Sequence, residues 1–94
     1  MKVYGIKCNK CKDIIYSRAV HDFHWCNCNS VAVDGGLSYL RIVGNREDWT
    51  RVEIELPIDG IKGRGILYDD WNKSKNKYGH ATEKDKVKEL TTDE

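Results

Sequence analysis

The sequence predicts a small, mainly-β fold, and three observations predict it. Four cysteines fall in two close pairs, Cys8-Asn9-Lys10-Cys11 and Cys26-Asn27-Cys28. The apolar residues around them come in short runs without helical periodicity, and residues 51–58 alternate apolar and charged side chains with a period of two. Strands that approach and leave two cysteine turns are the architecture of a zinc ribbon. Here antiparallel hairpin strands continue it, and a polar C-terminal tail, partly helical or disordered, follows. The chain holds 94 residues, enough for one domain and too few for two cores. The ribbon and its hairpins are expected over 1–72, and the tail, flexible or ordered by a partner, over 73–94.

The cysteines carry the strongest signal. Zinc takes four soft or borderline ligands in a tetrahedron, and two short-spaced pairs, with 14 residues between them, supply it once a loop brings the pairs together. Cys8, Cys11, Cys26 and Cys28 are therefore the expected ligands of a structural Zn²⁺. Alternatives stay open on the residues alone: free thiols or disulfides, a redox CxxC, an iron–sulfur cluster, or a site in which His21 or His24 replaces one cysteine. Asn27 and Asn29 interleave with the second pair, where a tight turn often demands positive φ, a region that Asn tolerates. Four protein ligands close the coordination sphere and leave no position for water or substrate.

Val3–Ile6, Ile14–Tyr16, Phe23–Trp25 and Val31–Val33 read as the strands around the two turns. Asp34-Gly35-Gly36 marks a tight turn into Leu37–Val43, a hairpin expected to continue the sheet. In residues 51–58, Val52, Ile54, Leu56 and Ile58 share one face, and Arg51, Glu53 and Glu55 the other. Pro57 lacks an N–H, which suggests that this segment borders the sheet, with Trp49 capping its apolar face. Gly60, Gly63 and Gly65 lack the order of a phosphate loop and precede no convincing helix, so this stretch reads as a turn. Beyond Lys73 the chain is polar. Thr82 could cap a short helix that places Val87 and Leu90 on one face.

Composition narrows the function classes. The chain is 33% charged, with 16 basic and 15 acidic side chains, and its mean hydropathy is -0.68. No apolar run approaches the roughly 18 residues of a membrane span, and the N-terminus lacks the apolar core of a signal peptide. A reducing cytoplasm is the expected compartment. A net charge of +1 removes the bulk signature of a nucleic-acid binder. Locally, though, Lys7, Lys10, Lys12 and Arg18 surround the first cysteine pair, and six lysines lie in residues 72–88. Tyr16, Phe23, Trp25 and Tyr78 interleave with these bases and could stack on nucleobases. The competing and favoured reading has lysines solvating the surface and aromatics filling the core. Lys10, Lys12, Arg18, Trp71 and Tyr78 are the candidate partner-binding residues. Asp69-Asp70 has no accompanying nucleophile, and Ser17, Ser30, Ser38 and Ser74 lie in no nucleophile elbow, so catalysis is not expected.

Cys8–Cys11, then Asp22–Cys28, then Val31–Gly36 with Tyr39-Leu40-Arg41, resemble a family of small, largely uncharacterised zinc-ribbon proteins of phages and prophages. The resemblance covers about residues 5–45; residues 46–94 gain nothing from it. It implies a zinc site at the four cysteines, expression inside an infected bacterial cell and an accessory role. Where members of that family have glycine after the second cysteine pair this chain has Asn29, which also visits positive φ. The expectation is a non-catalytic binding module that engages a host protein, in takeover or against a defence system. A nucleic-acid-binding ribbon and a binder of a small nucleotide signal are the alternatives, and exposed Trp71 and Ile66 are compatible with a homodimer.

Overall fold

The computed structural model describes residues 1–37, 39–75, 77–82 and 85–90. Over the described residues it is mainly β, with two antiparallel sheets and one α-helix. The larger sheet contains β1 (Lys2–Cys8), β2 (Ile14–Ile15), β6 (Trp49–Glu55) and β7 (Lys86–Glu89), in the order β2-β1-β6-β7. The smaller contains β3 (His24–Trp25), β4 (Ala32–Asp34) and β5 (Arg41–Val43), in that order. A single 3-10 turn (Arg46–Asp48) leads into β6, and α1 (Gly63–Asn72) follows it.

The register of β1 explains why the core has two parts. Val3 faces Ile54 and Gly5 faces Val52 across the ladder, whereas Ile6 faces Ile15 and Cys8 faces Trp49. Side chains alternate along a strand, so these two sets lie on opposite faces of the sheet. On one face Val3, Tyr16, Val52, Ile54, Leu56 and Leu67 of α1 form a buried cluster. On the other, Ile6, Cys8 and Ile15 pack with Val33 of the smaller sheet and with Cys26 and Val31, which flank its strands. At Gly5 the backbone of β2 lies close over β1: a Cβ there would collide with the carbonyl oxygen of Ile15.

The structure bears out the strands that surround the cysteines and the turn at Asp34-Gly35-Gly36. Gly36 has φ +81°, and its N–H donates to Ser17 Oγ at 2.9 Å. The expected hairpin is β4–β5, and it continues the sheet that β3 begins. Elsewhere the structure corrects the sequence reading. β6 does not border its sheet, because β1 and β7 flank it; the strand ends at Glu55, two residues before Pro57, so the proline removes no ladder bond. Trp49 is half-buried against the cysteine-side core, with the Arg46 guanidinium 4.3 Å from its ring centroid.

The stretch read as a turn around Gly63 and Gly65 is instead the first turn of α1. Its buried face is Gly63, Leu67 and Asp70, spaced i, i+4, i+7. Only one of the three is a large aliphatic, so no apolar stripe announced the helix. The helix stops at a left-handed Ser74 (φ 55°), where the Ser74 N–H donates to Trp71 O and the Lys75 N–H to Asp70 O, both at 3.0 Å. That is the 5→2 and 6→1 pairing of a Schellman ending.

The helix expected to start at Thr82 is not formed over the described residues: Lys86–Glu89 is β7, paired with β6 through Ile54 opposite Val87. Glu83 and Lys84 of that expected helix, Ser38 and residues 91–94 lie outside the described residues. Residues 79–81 line the other edge of the sheet, with Tyr16 N–H on Gly79 O at 2.9 Å and Ala81 N–H on Ile14 O at 2.8 Å. Among the described residues no helix is long and apolar enough to cross a membrane.

Candidate metal centre

Each cysteine pair sits on a tight turn fixed by backbone hydrogen bonds. Cys8 ends β1, and after Cys11 the chain turns through Lys12 in the left-handed region (φ 68°), whose N–H returns to Cys8 O at 2.9 Å. Cys26 directly follows β3, and after Cys28 the chain turns through Asn29 (φ 61°), whose N–H returns to Cys26 O at 3.0 Å. The two turns thus share one device, a residue of positive φ just after the second cysteine. The expectation for Asn29 holds. Lys12 adopts the same conformation although its residue type gives no such signal.

The four sulfurs converge. All four Sγ atoms lie within 4.8 Å of one another, and Cys28 Sγ is 3.6 Å from both Cys8 Sγ and Cys26 Sγ. A disulfide needs sulfurs about 2 Å apart, and all four cysteines are free. A tetrahedron with Zn–S bonds of about 2.3 Å has sulfurs roughly 3.8 Å apart. The donor set and its spacing therefore fit a four-coordinate metal ion held by Cys8, Cys11, Cys26 and Cys28. His21 and His24 are not in the cluster: His24 Nδ1 lies 3.0 Å from Asp22 Oδ1 and Nε2 lies 3.1 Å from Gly79 O. An ion bound there would be fully coordinated by protein and would supply a cross-link between the two turns.

The thiols differ in environment. Burial pushes the Cys8 thiol up to about 11, whereas a hydrogen bond with Ser30 Oγ, 3.2 Å away, brings exposed Cys28 down to about 6. A bound cation overrides both, because it holds coordinating thiols deprotonated. The Cys11 N–H points at Cys8 Sγ at 3.4 Å, so part of the charge on the sulfur is met by backbone.

Sequence reasoning missed Asp13 and its role. Asp13 Oδ2 accepts the Asn27 N–H at 3.0 Å and lies 3.0 Å from His80 Nδ1, so one carboxylate ties both cysteine turns to the 79–81 segment. Its position two residues after Cys11 was visible; its partners, 14 and 67 residues away, were not.

Of the candidate partner-binding residues, Arg18 is corrected. Its side chain is only 7% exposed and its Nε and Nη2 grip both oxygens of Asp22, at 2.7 and 3.2 Å, while Nη1 donates to Asp70 Oδ2 at 2.7 Å. Asp70 also accepts the N–H groups of Lys77 and Tyr78. Burial opposes charge on both carboxylates, yet hydrogen bonds from His24 and Arg18 hold Asp22 well below the usual range, and those from Tyr78, Arg18 and Lys77 lower Asp70. Asp69-Asp70 is thus no strand pair: both are helical, Asp70 buried and Asp69 outside with Lys73 at 3.1 Å. Lys10 pairs loosely with Asp48 at 3.7 Å, and Lys12 Nζ donates to Asn9 O at 3.1 Å. Tyr78 is half-buried against the α1-side core. Trp71 is half-buried, its ring centroid 5.6 Å from that of exposed Tyr68.

Residues 1–44 match the model of a domain of unknown function, DUF7695. The match covers both cysteine pairs, β1 and β2 of the larger sheet and the whole of the smaller sheet. No curated protein and no solved structure matches the chain.

Proposed function

We propose that the chain is a non-catalytic binding module whose fold is cross-linked by a structural zinc ion, and that it works by engaging a protein of the cell in which it is expressed. A metal held by four thiolates has no position for substrate, which supports a structural rather than catalytic role. The resemblance of residues 5–45 to phage zinc-ribbon proteins supports a bacterial host cytoplasm and an accessory role in takeover or against a defence system.

The observation that carries the protein-binding reading is the outer side of α1. Tyr68 and Trp71 form a ring pair beside a groove of about 290 Å³ that Leu37 and Val20 help to line. Tyr and Trp in such settings are the residues that dominate protein interfaces. Arg18, one of the bases that would favour nucleic acid near the first cysteine turn, is meanwhile buried in ion pairs with Asp22 and Asp70.

The test is affinity capture with the tagged, metal-loaded chain from nuclease-treated bacterial lysate, followed by direct titration of the purified captured protein. The reading expects a stoichiometric partner whose affinity falls by tenfold or more with Tyr68→Ala or Trp71→Ala, the size of an interface hot spot. Affinity unchanged by both substitutions, or no protein surviving nuclease, would refute it.

A further inference from the structure

We propose that Cys28 makes the metal centre responsive to peroxide: its sulfur is the first to be oxidised, and a disulfide from it to Cys8 or Cys26 then withdraws two of the four donors. The proposal rests on the reading of the four cysteines as the ligands of a metal ion, and it adds to that reading a reactive position. On a bound cation all four sulfurs are held as thiolates. Oxidation of cysteine follows thiolate character and exposure, so with the first shared by the whole set, exposure decides. Cys8 and Cys26 are buried, Cys11 is half-buried and Cys28 is exposed.

The fold accounts for that difference. Cys8 ends β1 and Cys26 directly follows β3, and both pack in the core with Ile6, Ile15, Val31 and Val33. Cys28 lies further along the turn between β3 and β4, next to left-handed Asn29, with Ser30 Oγ 3.2 Å from its sulfur. Resolving sulfurs are within reach. Cys28 Sγ is 3.6 Å from Cys8 Sγ and from Cys26 Sγ, a short side-chain movement from the roughly 2 Å of a disulfide. The Cys28 thiolate attacks one oxygen of hydrogen peroxide, the O–O bond breaks and hydroxide leaves, which makes Cys28 a sulfenic acid. The neighbouring thiolate then attacks that sulfur, the S–S bond forms and the sulfenic oxygen leaves as a second hydroxide. Two thiolates have lost two electrons, and one peroxide has become two hydroxides. Two of the four thiolates that a structural site requires are then left, and the cross-link between the cysteine turns is lost.

The test uses the full chain loaded with zinc, its metal content measured first, and exposes it to hydrogen peroxide that catalase then removes. Freed zinc is read with a colorimetric chelator, and oxidised cysteines are located by alkylation and mass spectrometry at partial conversion. The proposal expects zinc release that follows the peroxide dose, first disulfides that all include Cys28, and recovery of bound zinc when the chain is reduced with zinc supplied. Cys28→His exchanges one zinc donor for another, and the zinc it holds should no longer be released by peroxide. Cys11→His leaves Cys28 in place, and the zinc it holds should still be released. A first disulfide between two of the other cysteines overturns the proposal, and it is read on the parent chain whether or not either variant folds. Zinc retained by the parent under peroxide, or released undiminished from Cys28→His, overturns it and leaves the metal centre standing. A chain that takes up no zinc overturns both.

Discussion

Arg18, Asp22 and Asp70 show how a single residue can tie distant parts of this chain together. Arg18 follows β2, Asp22 precedes β3 and Asp70 lies on α1, so the buried cation joins both sheets to the helix. Replacing it by Met would leave two carboxylates buried without their partner, and breaking a buried pair in this way costs about 3–5 kcal/mol. Urea denaturation at pH 7 checks that. The acid dependence follows from the lowered carboxyls. A carboxyl lowered in the folded state stabilises it fully above its unfolded value of about 3.9, and loses that stabilisation as pH falls through the folded value. Asp70→Asn should therefore be less stable than the parent at pH 7, with the gap narrowing below about pH 4. Urea midpoints across that range measure it. Tyr16 carries the opposite sign: it is fully buried and its hydroxyl has no hydrogen-bond partner among the described residues. Burial pushes its phenol up accordingly. Tyr16→Phe removes an unsatisfied polar atom, so it should be neutral or stabilising by up to about 1 kcal/mol, seen as an unchanged or raised urea midpoint. In the sequence Arg18 sat among lysines and read as surface. The Asp22 partner four residues on was in view, but the Asp70 partner, 52 residues away, depends on a helix that the pattern did not reveal.

Among the elements, α1 was the least legible and is the most testable. Two glycines in its first turn and a buried aspartate on its inner face disguise the period of 3.6, and no side chain caps its start. Packing of Leu67 into the core, the Asp70–Arg18 pair and the Schellman ending hold it instead. Leu67→Ala should cost about 2–5 kcal/mol through lost contact and a residual cavity, whereas exposed Tyr68→Ala should fall within about 0.5 kcal/mol; paired urea curves separate them. The strands around the cysteines could be read from short apolar runs because alternation survives in a sequence of that length. The same logic failed for β7. Lys86, Val87, Lys88 and Glu89 hold one aliphatic between charges, and only Ile54 opposite Val87 makes the segment a strand. Pro57 misled for a related reason, since a proline past the last ladder pair says nothing about where in the sheet the strand lies.

At the scale of the whole molecule, the four-cysteine cluster is part of a core rather than an appendage. Cys8 and Cys26 are buried in the same cluster as Ile6, Ile15, Val31 and Val33. The cysteine pattern could be read in full because ligand spacing is local; the Asp13 strap and the two-faced core could not, because both depend on residues brought together from afar. Apparent zinc binding of about 10–16 kcal/mol in small domains is comparable to the whole stability of a chain this size. Chelation should therefore abolish cooperative unfolding of the cysteine-side core, and zinc should restore it. Cys8→Ser should mimic chelation. The most direct test of the central claim is the metal content of the purified full chain, measured by elemental mass spectrometry against protein concentration. One zinc per chain, lost on Cys8→Ser, is the predicted result. A chain that is folded with no bound metal, or that carries iron with sulfide in place of zinc, would contradict it.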